Sequence, residues 1–247
     1  KQASIHKITK FIDSYGGHDH INGSGGNDTL AIFSEQDNFE IITILGYTKI
    51  LGNTSTGYAL QNDYDEYLMR VISVENIQFI DSNLSIDTSN HGWEYYWFDV
   101  YYDDSYSFDF SGDESNEFFD TGGGHDFVDG KGGNDFIAIF SNKLNFEIKT
   151  LGGITKIYGL EEVNGLGSYY YDYSIRSVNV ENIAFADQTV EVDTILLTGN
   201  YILGMYWWEG SETIIGTDDD DIIDSNGGED TINGGDVEDS LLIFAYK

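Results

Sequence analysis

The sequence predicts an all-β protein built from similar units in tandem, and three observations carry that expectation. Glycine, aspartate and an apolar residue recur in nines: Asp126 and Asp135, Gly124 and Gly133, and Val128 and Ile137 are each nine residues apart. The pattern returns on a larger scale, since Asp19 and Asp126, and likewise Asp28 and Asp135, are separated by 107 residues. Between these glycine-rich stretches, Ile, Val, Phe, Tyr and Thr alternate with polar residues, and no helical period is sustained.

The nine-residue unit has a chemical logic. Glycine adopts φ > 0 cheaply and allows a tight turn with its carbonyls facing inward. The Asp sets a carboxylate beside those carbonyls, and the apolar residue two places on starts a short strand against a core. Carbonyl and carboxylate oxygens crowded around one turn suit Ca²⁺. There are three such blocks: Gly16 to Leu30, Gly122 to Ala138, and Gly216 to Leu241. Together they resemble the Gly-Gly-x-Gly-x-Asp-x-apolar-x nonapeptide of the RTX (repeats-in-toxin) family. That resemblance implies tandem parallel β-roll modules that bind several Ca²⁺ ions, here each extended by further strands, in an elongated rod.

In chain order, the first module is expected at 1–90. After its turns, Thr29-Leu30-Ala31-Ile32-Phe33-Ser34 opens a strand-rich tail that includes Asn38-Phe39-Glu40-Ile41 and Thr48-Lys49-Ile50. The tail ends in Val74-Glu75-Asn76-Ile77-Gln78-Phe79-Ile80-Asp81, which resembles the strand that closes RTX modules, although Ser82 replaces the usual glycine. An aromatic linker is expected at 91–107. The second module, 108–194, repeats the same sequence of features, from Phe136-Ile137-Ala138-Ile139-Phe140-Ser141 to Val180-Glu181-Asn182-Ile183, with Gln188 in the place of the glycine. A second aromatic linker at 195–208 leads to a partial third module at 209–247. The linkers are too aromatic to be flexible spacers. Trp93, Trp97, Trp207 and Trp208 are expected to be partly buried at module junctions.

In the roll that the resemblance implies, one coil takes two nonapeptides. Turns eighteen residues apart then stack at the strand spacing of about 4.8 Å. An ion between stacked turns takes a carboxylate from each. Asp19 with Asp37, Glu117 with Asp135, Glu212 with Asp230 and Asp221 with Asp239 satisfy that spacing. Asp28 and Asp126 are one-sided, because Lys10 and Phe108 stand eighteen residues before them. These ten acids are the expected metal ligands.

Composition narrows the function. The net charge of −33 argues against nucleic acid and anionic membranes as partners, and it opposes compaction unless cations neutralise it. Residues 216 to 239 hold ten acids and no Lys or Arg, interleaved with Ile223 and Ile232 in a way that a solvated tail would not be. There is no cysteine, no stretch long enough for a membrane helix, and no catalytic motif among the familiar hydrolase and phosphate-binding signatures. The expectation is a non-enzymatic, calcium-binding RTX module, a monomeric fragment of a larger secreted or cell-surface bacterial protein of adhesin or surface-layer type. It would leave by type I secretion and fold on Ca²⁺ outside the cell. The alternative is calcium-dependent carbohydrate binding, as an accessory to a polysaccharide-active enzyme or as a contact to another cell surface. Trp93, Tyr95, Trp97, Tyr101, Trp207 and Trp208 would then stack on sugar rings.

Overall fold

The structure is a computed structural model, described here over residues 9–13, 18–52, 68–88, 94–97, 108–122, 124–160, 174–195, 197–204, 211–226 and 228–244. Among the described residues the regular elements are β-strands and two short 3₁₀ turns. The first eight strands are β1 (Phe11–Asp13), β2 (His18–Asn22), β3 (Thr29–Ala31), β4 (Phe39–Ile44), β5 (Tyr47–Gly52), β6 (Leu68–Ile72), β7 (Asn76–Gln78) and β8 (Asn83–Ser85). They form two sheets, β1-β3-β7-β8 and β2-β6-β5-β4, around a core that includes Ile21, Leu30, Ile50, Met69 and Ile77. The pleat sends alternate side chains inward, which is why Leu30 and Ile32 are buried while Phe33 is exposed.

The same plan recurs. The next strands are β9 (Glu94–Trp97), β10 (Asp109–Ser111), β11 (Glu117–Asp120), β12 (His125–Asp129), β13 (Phe136–Ile139), β14 (Phe146–Leu151), β15 (Ile154–Gly159), β16 (Ser174–Val178), β17 (Asn182–Phe185) and β18 (Thr189–Glu191). Their sheets, β18-β17-β13-β11-β9 and β10-β12-β16-β15-β14, enclose Phe119, Val128, Ile137, Ile157 and Ile183. A shorter third set follows: β19 (Asn200–Leu203), β20 (Thr213–Ile215), β21 (Asp221–Asp224), β22 (Thr231–Asn233) and β23 (Ser240–Leu241). It pairs as β19-β21-β23 and β20-β22.

Around the turns the strands are parallel with an eighteen-residue register. Phe11 pairs with Thr29, Asp109 with Phe127, Phe118 with Phe136, Thr213 with Thr231 and Ile222 with Ser240. The sheets as a whole are mixed rather than purely parallel. The hairpins β4–β5 and β14–β15 are antiparallel, as are the return strands β8 and β18. Each hairpin turns on two residues with φ > 0, Leu45 and Gly46 in one and Gly152 and Gly153 in the other, as a type I′ turn requires. The hairpin enlarges its coil, so the parallel partner of His18 in β2 is Leu68 in β6, fifty residues on.

The three sets dock in series through matching contacts. Strand β5 of the first set presents Tyr47 to Phe118, Phe140 and Ala184 of the second, where Tyr47 is fully buried. At the centre, Lys49 Nζ lies 2.7 Å from Asp120 Oδ1 and 4.3 Å from the Phe140 ring, with Arg70 Nε 3.6 Å from Asp120 Oδ2. The second and third sets repeat this: Lys156 Nζ is 2.7 Å from Asp224 Oδ1 and 4.4 Å from the Phe244 ring, and Arg176 is 3.6 Å from Asp224 Oδ2. Burial holds the Lys49 and Lys156 ammonium groups below the ordinary lysine range despite their aspartate partners. Loss of one partner from such a buried pair costs about 3–5 kcal/mol.

The aromatic segments also contribute strands. Strand β9 runs parallel to β11, with Glu94 opposite Glu117, and β19 runs parallel to β21. Trp93, Tyr101, Trp207 and Trp208 lie outside the described residues, as do the side chains of Tyr95 and Trp97.

Candidate metal centres in the turns

The eighteen-residue register brings the predicted acids to one kind of place. In each stacked pair of turns, a carboxylate Oδ1 accepts the backbone N–H of the residue eighteen positions earlier. Asp28 accepts from Lys10 (2.6 Å), Asp126 from Phe108 (3.0 Å), Asp135 from Glu117 (2.8 Å), Asp230 from Glu212 (3.1 Å) and Asp239 from Asp221 (3.1 Å). This bond fixes the carboxyl group and turns its second oxygen into the loop. Oδ2 of Asp28, Asp126, Asp135 and Asp230, and Oε2 of Glu117, are buried and accept no hydrogen bond.

Those second oxygens converge with backbone carbonyls on glycine. A Cβ on Gly112 would sit 2.5 Å from Glu117 Oε2 and 2.6 Å from Gly130 O. On Gly23 it would meet Ser73 O and lie 2.7 Å from Asp28 Oδ2, and on Gly130 it would meet Asn179 O and Asp135 Oδ2. Each glycine is required because a side chain would fill a pocket lined by oxygen acceptors. Among the described residues no three Asp, Glu, His or Cys side chains form one cluster. The donor set is therefore one or two carboxylates completed by carbonyls, the hard-oxygen set of Ca²⁺ rather than of zinc or copper.

The electrostatics also call for a cation. Burial pushes the Asp126 carboxyl up to about 8, against a smaller downward pull from the Phe108 N–H. Glu117 and Asp135 are both raised, first by burial, and Glu117 also by the adjacent Asp135 carboxylate. An ionised carboxylate with a buried, unpartnered oxygen is costly. A divalent cation would relieve that cost.

The predicted residues fall into three groups. Glu117 with Asp135, Glu212 with Asp230 and Asp221 with Asp239 are brought together as stacked turns. In the last pair the Asp221 carboxylate already accepts from the Thr217 N–H (2.6 Å) and hydroxyl (3.0 Å). Asp28 and Asp126 each stack on a residue without a carboxylate, Lys10 and Phe108. Asp19 and Asp37 are not stacked. Asp19 is registered with Met69, and Asp37 is exposed on the 3₁₀ turn Gln36–Asn38. The β4–β5 hairpin follows that turn and enlarges the coil, so eighteen residues no longer complete it.

Several supporting residues were not singled out by sequence reasoning. Glu75 Oε2 accepts the Asp28 N–H at 2.7 Å, and Glu181 Oε2 accepts the Asp135 N–H at 2.8 Å, so both orient the turn from the next strand. Asn76 and Asn182 donate to Asn27 and Asn134 at 3.0 and 2.9 Å. The signal was present in the recurring Val-Glu-Asn-Ile segment, whose Glu and Asn fall at the same positions in both copies.

These features define an all-β protein whose stacked turns bring carboxylate and backbone carbonyl oxygens together. Residues 11–30, 110–138 and 209–241 match the RTX calcium-binding nonapeptide repeat, in four copies. Among curated proteins none matches the chain. The repeat is a structural calcium-binding element and not a catalytic one. Among the described residues no helix is long and apolar enough to cross a membrane.

Proposed function

We propose that this chain is a calcium-dependent structural module of a secreted or cell-surface bacterial protein of adhesin or surface-layer type, and that it completes its fold on Ca²⁺ after export. The modules are 1–90, 108–194 and the partial unit from 209, with 91–107 and 195–208 as their connections. The observation that carries this reading is the set of buried, unpartnered carboxylate oxygens facing glycine and carbonyl oxygens, most clearly at Glu117 and Asp135. These two, with Glu212, Asp230, Asp221 and Asp239, are the residues that would hold the ions, and Asp126 would contribute one carboxylate.

When bound, Ca²⁺ would supply positive charge against these carboxylates. The chain does the rest. Backbone N–H groups fix one oxygen of each carboxylate, glycine leaves room beside the other, and the apolar strands between turns close the core. Acid-rich extracellular sites bind at about 10⁻⁴ to 10⁻³ M. Such sites are empty at cytosolic Ca²⁺ and filled outside, and binding to the folded state alone adds about 2.7 kcal/mol per site at a hundredfold excess over Kd. The test is a Ca²⁺ titration followed by far-UV circular dichroism and calorimetry. A rise in β signal with several ions bound per chain is expected. An unchanged β spectrum in excess chelator with no measurable Ca²⁺ heat would overturn the proposal.

A further inference from the structure

The two junctions described above use the same receiving face, and the first sheet pair carries a third copy of that face on its outer side. On β11, β13 and the residue after it, Phe118, Asp120 and Phe140 meet the incoming hairpin, and Phe118 and Phe140 are 1% and 0% exposed. The internal repeat of 107 residues places Phe11, Asp13 and Phe33 at these positions. Strand pairing confirms the equivalence: Phe11 is opposite Thr29 on β1 and β3, as Phe118 is opposite Phe136 on β11 and β13. The alternation agrees as well, because Ile12 packs on the core while Phe11 and Asp13 are exposed. Yet Phe11 and Phe33 are 64% and 70% exposed, and Ile80 beside them on the same face is 64% exposed.

We infer that the outer face of β1, β3 and β7, marked by Phe11, Asp13, Phe33 and Ile80, is a docking surface for a further roll of this repeat that presents a hairpin lysine and a neighbouring arginine. The geometry of the occupant is fixed by the two occupied copies. In both, a lysine ammonium sits 2.7 Å from the aspartate and 4.3–4.4 Å from the ring of the residue equivalent to Phe33, with an arginine 3.6 Å from the second carboxylate oxygen. Three exposed apolar side chains around an aspartate suit a surface that is itself apolar around cations. A second copy of this chain is a poor occupant, because the Lys49 and Lys156 hairpins are already engaged within the molecule.

The chain has no cysteine, so a single thiol introduced by Phe33→Cys reports on this face alone. Duplicating residues 1–107 immediately before Lys1 of the full chain supplies a hairpin at the natural 107-residue spacing. Maleimide labelling of the introduced thiol should slow at least tenfold relative to the unduplicated variant. Replacing Lys49 and Arg70 of the added copy by Glu should restore the fast rate. Equal rates in the duplicated and unduplicated chains would overturn the inference. So would protection in the unduplicated chain that grows with protein concentration, since the occupant would then be a second copy.

Discussion

The turn at Lys10 and Asp28 and the turn at Glu117 and Asp135 occupy equivalent places in the first two sheet pairs, 107 residues apart, and share one backbone design. In both, the Asp accepts the N–H of the residue eighteen positions earlier, at 2.6 and 2.8 Å. In both, a glutamate from the next strand accepts the Asp N–H. They differ in the side chain of the earlier residue. Lys10 Nζ donates to Gly23 O at 2.8 Å, whereas Glu117 Oε2 and Gly130 O, the equivalent carbonyl, are two acceptors crowded beside Gly112. One turn has a tethered ammonium where the other has a second carboxylate. The backbone register is thus the same whether the earlier residue is a lysine or a glutamate, and that one side chain sets how much negative charge the turn holds.

The largest expected effect is from calcium removal. In chelator at neutral pH, amide hydrogen exchange should quicken strongly around Glu117, Asp126, Asp135 and the third set of turns, and less around Lys10 and Asp28. Uniform protection loss across all turns would show that the ammonium does not substitute for the ion. The next effect comes from exchanging the deciding side chain. Glu117→Lys should reduce the calorimetric Ca²⁺ stoichiometry by one. Lys10→Glu should raise it by one and make the first sheet pair more dependent on the ion. An unchanged stoichiometry in both variants would break the comparison.

How much of this was legible in the sequence follows from the range of the interactions. Glycine and aspartate at nine-residue spacing act within one coil, so their type and phase predicted the parallel eighteen-residue register of four of the stacked turn pairs and placed Lys10 behind Asp28. The Asp19–Asp37 pair was not predictable in this way. Residues 39–52 alternate like any strand pair, and nothing local shows that they fold back as a hairpin and lengthen the coil. The junction ions were hidden for a different reason. Lys49 and Asp120 are 71 residues apart, and a lone lysine in a strand looks like a solvated one. The available clue was recurrence. Only eleven Lys and Arg occur in the chain, and Lys49 with Arg70 returns as Lys156 with Arg176 at the same places in the repeat.

Acidity gives a smaller effect with a defined sign. Burial raises Asp126, Glu117 and Asp135 above the ordinary carboxylate range near 4, and Asp126 to about 8. A raised folded-state pKa contributes stability that is complete below the unfolded value and is lost as pH rises through the folded value. In metal-free buffer the urea midpoint should therefore fall between pH 5 and pH 8. Saturating Ca²⁺ should flatten or reverse this trend, because the ion binds only ionised carboxylates. A midpoint that rises with pH in metal-free buffer would contradict the burial of these groups.

The smallest effect is expected at Asp126, which resembles neither of the two compared turns fully. Phe108 stands behind it, so it has no second carboxylate and no tethered cation, but the Phe108 N–H at 3.0 Å and the Thr121 side chain as hydrogen-bond partners. With its carboxyl pushed up to about 8, the group is largely protonated at pH 7 without metal. Asn is then a close mimic: it keeps an oxygen for the Phe108 N–H and adds no charge. Asp126→Asn should cost less than about 1.5 kcal/mol of metal-free stability at pH 7. It should also remove part of the fall between pH 5 and pH 8, since the group that ionises there is gone. Its cost in Ca²⁺ affinity should be well below that of Asp135→Asn, which breaks a two-carboxylate turn. Calorimetry on the two variants side by side decides the point: equal losses would mean that a lone buried carboxylate holds the ion as firmly as a stacked pair.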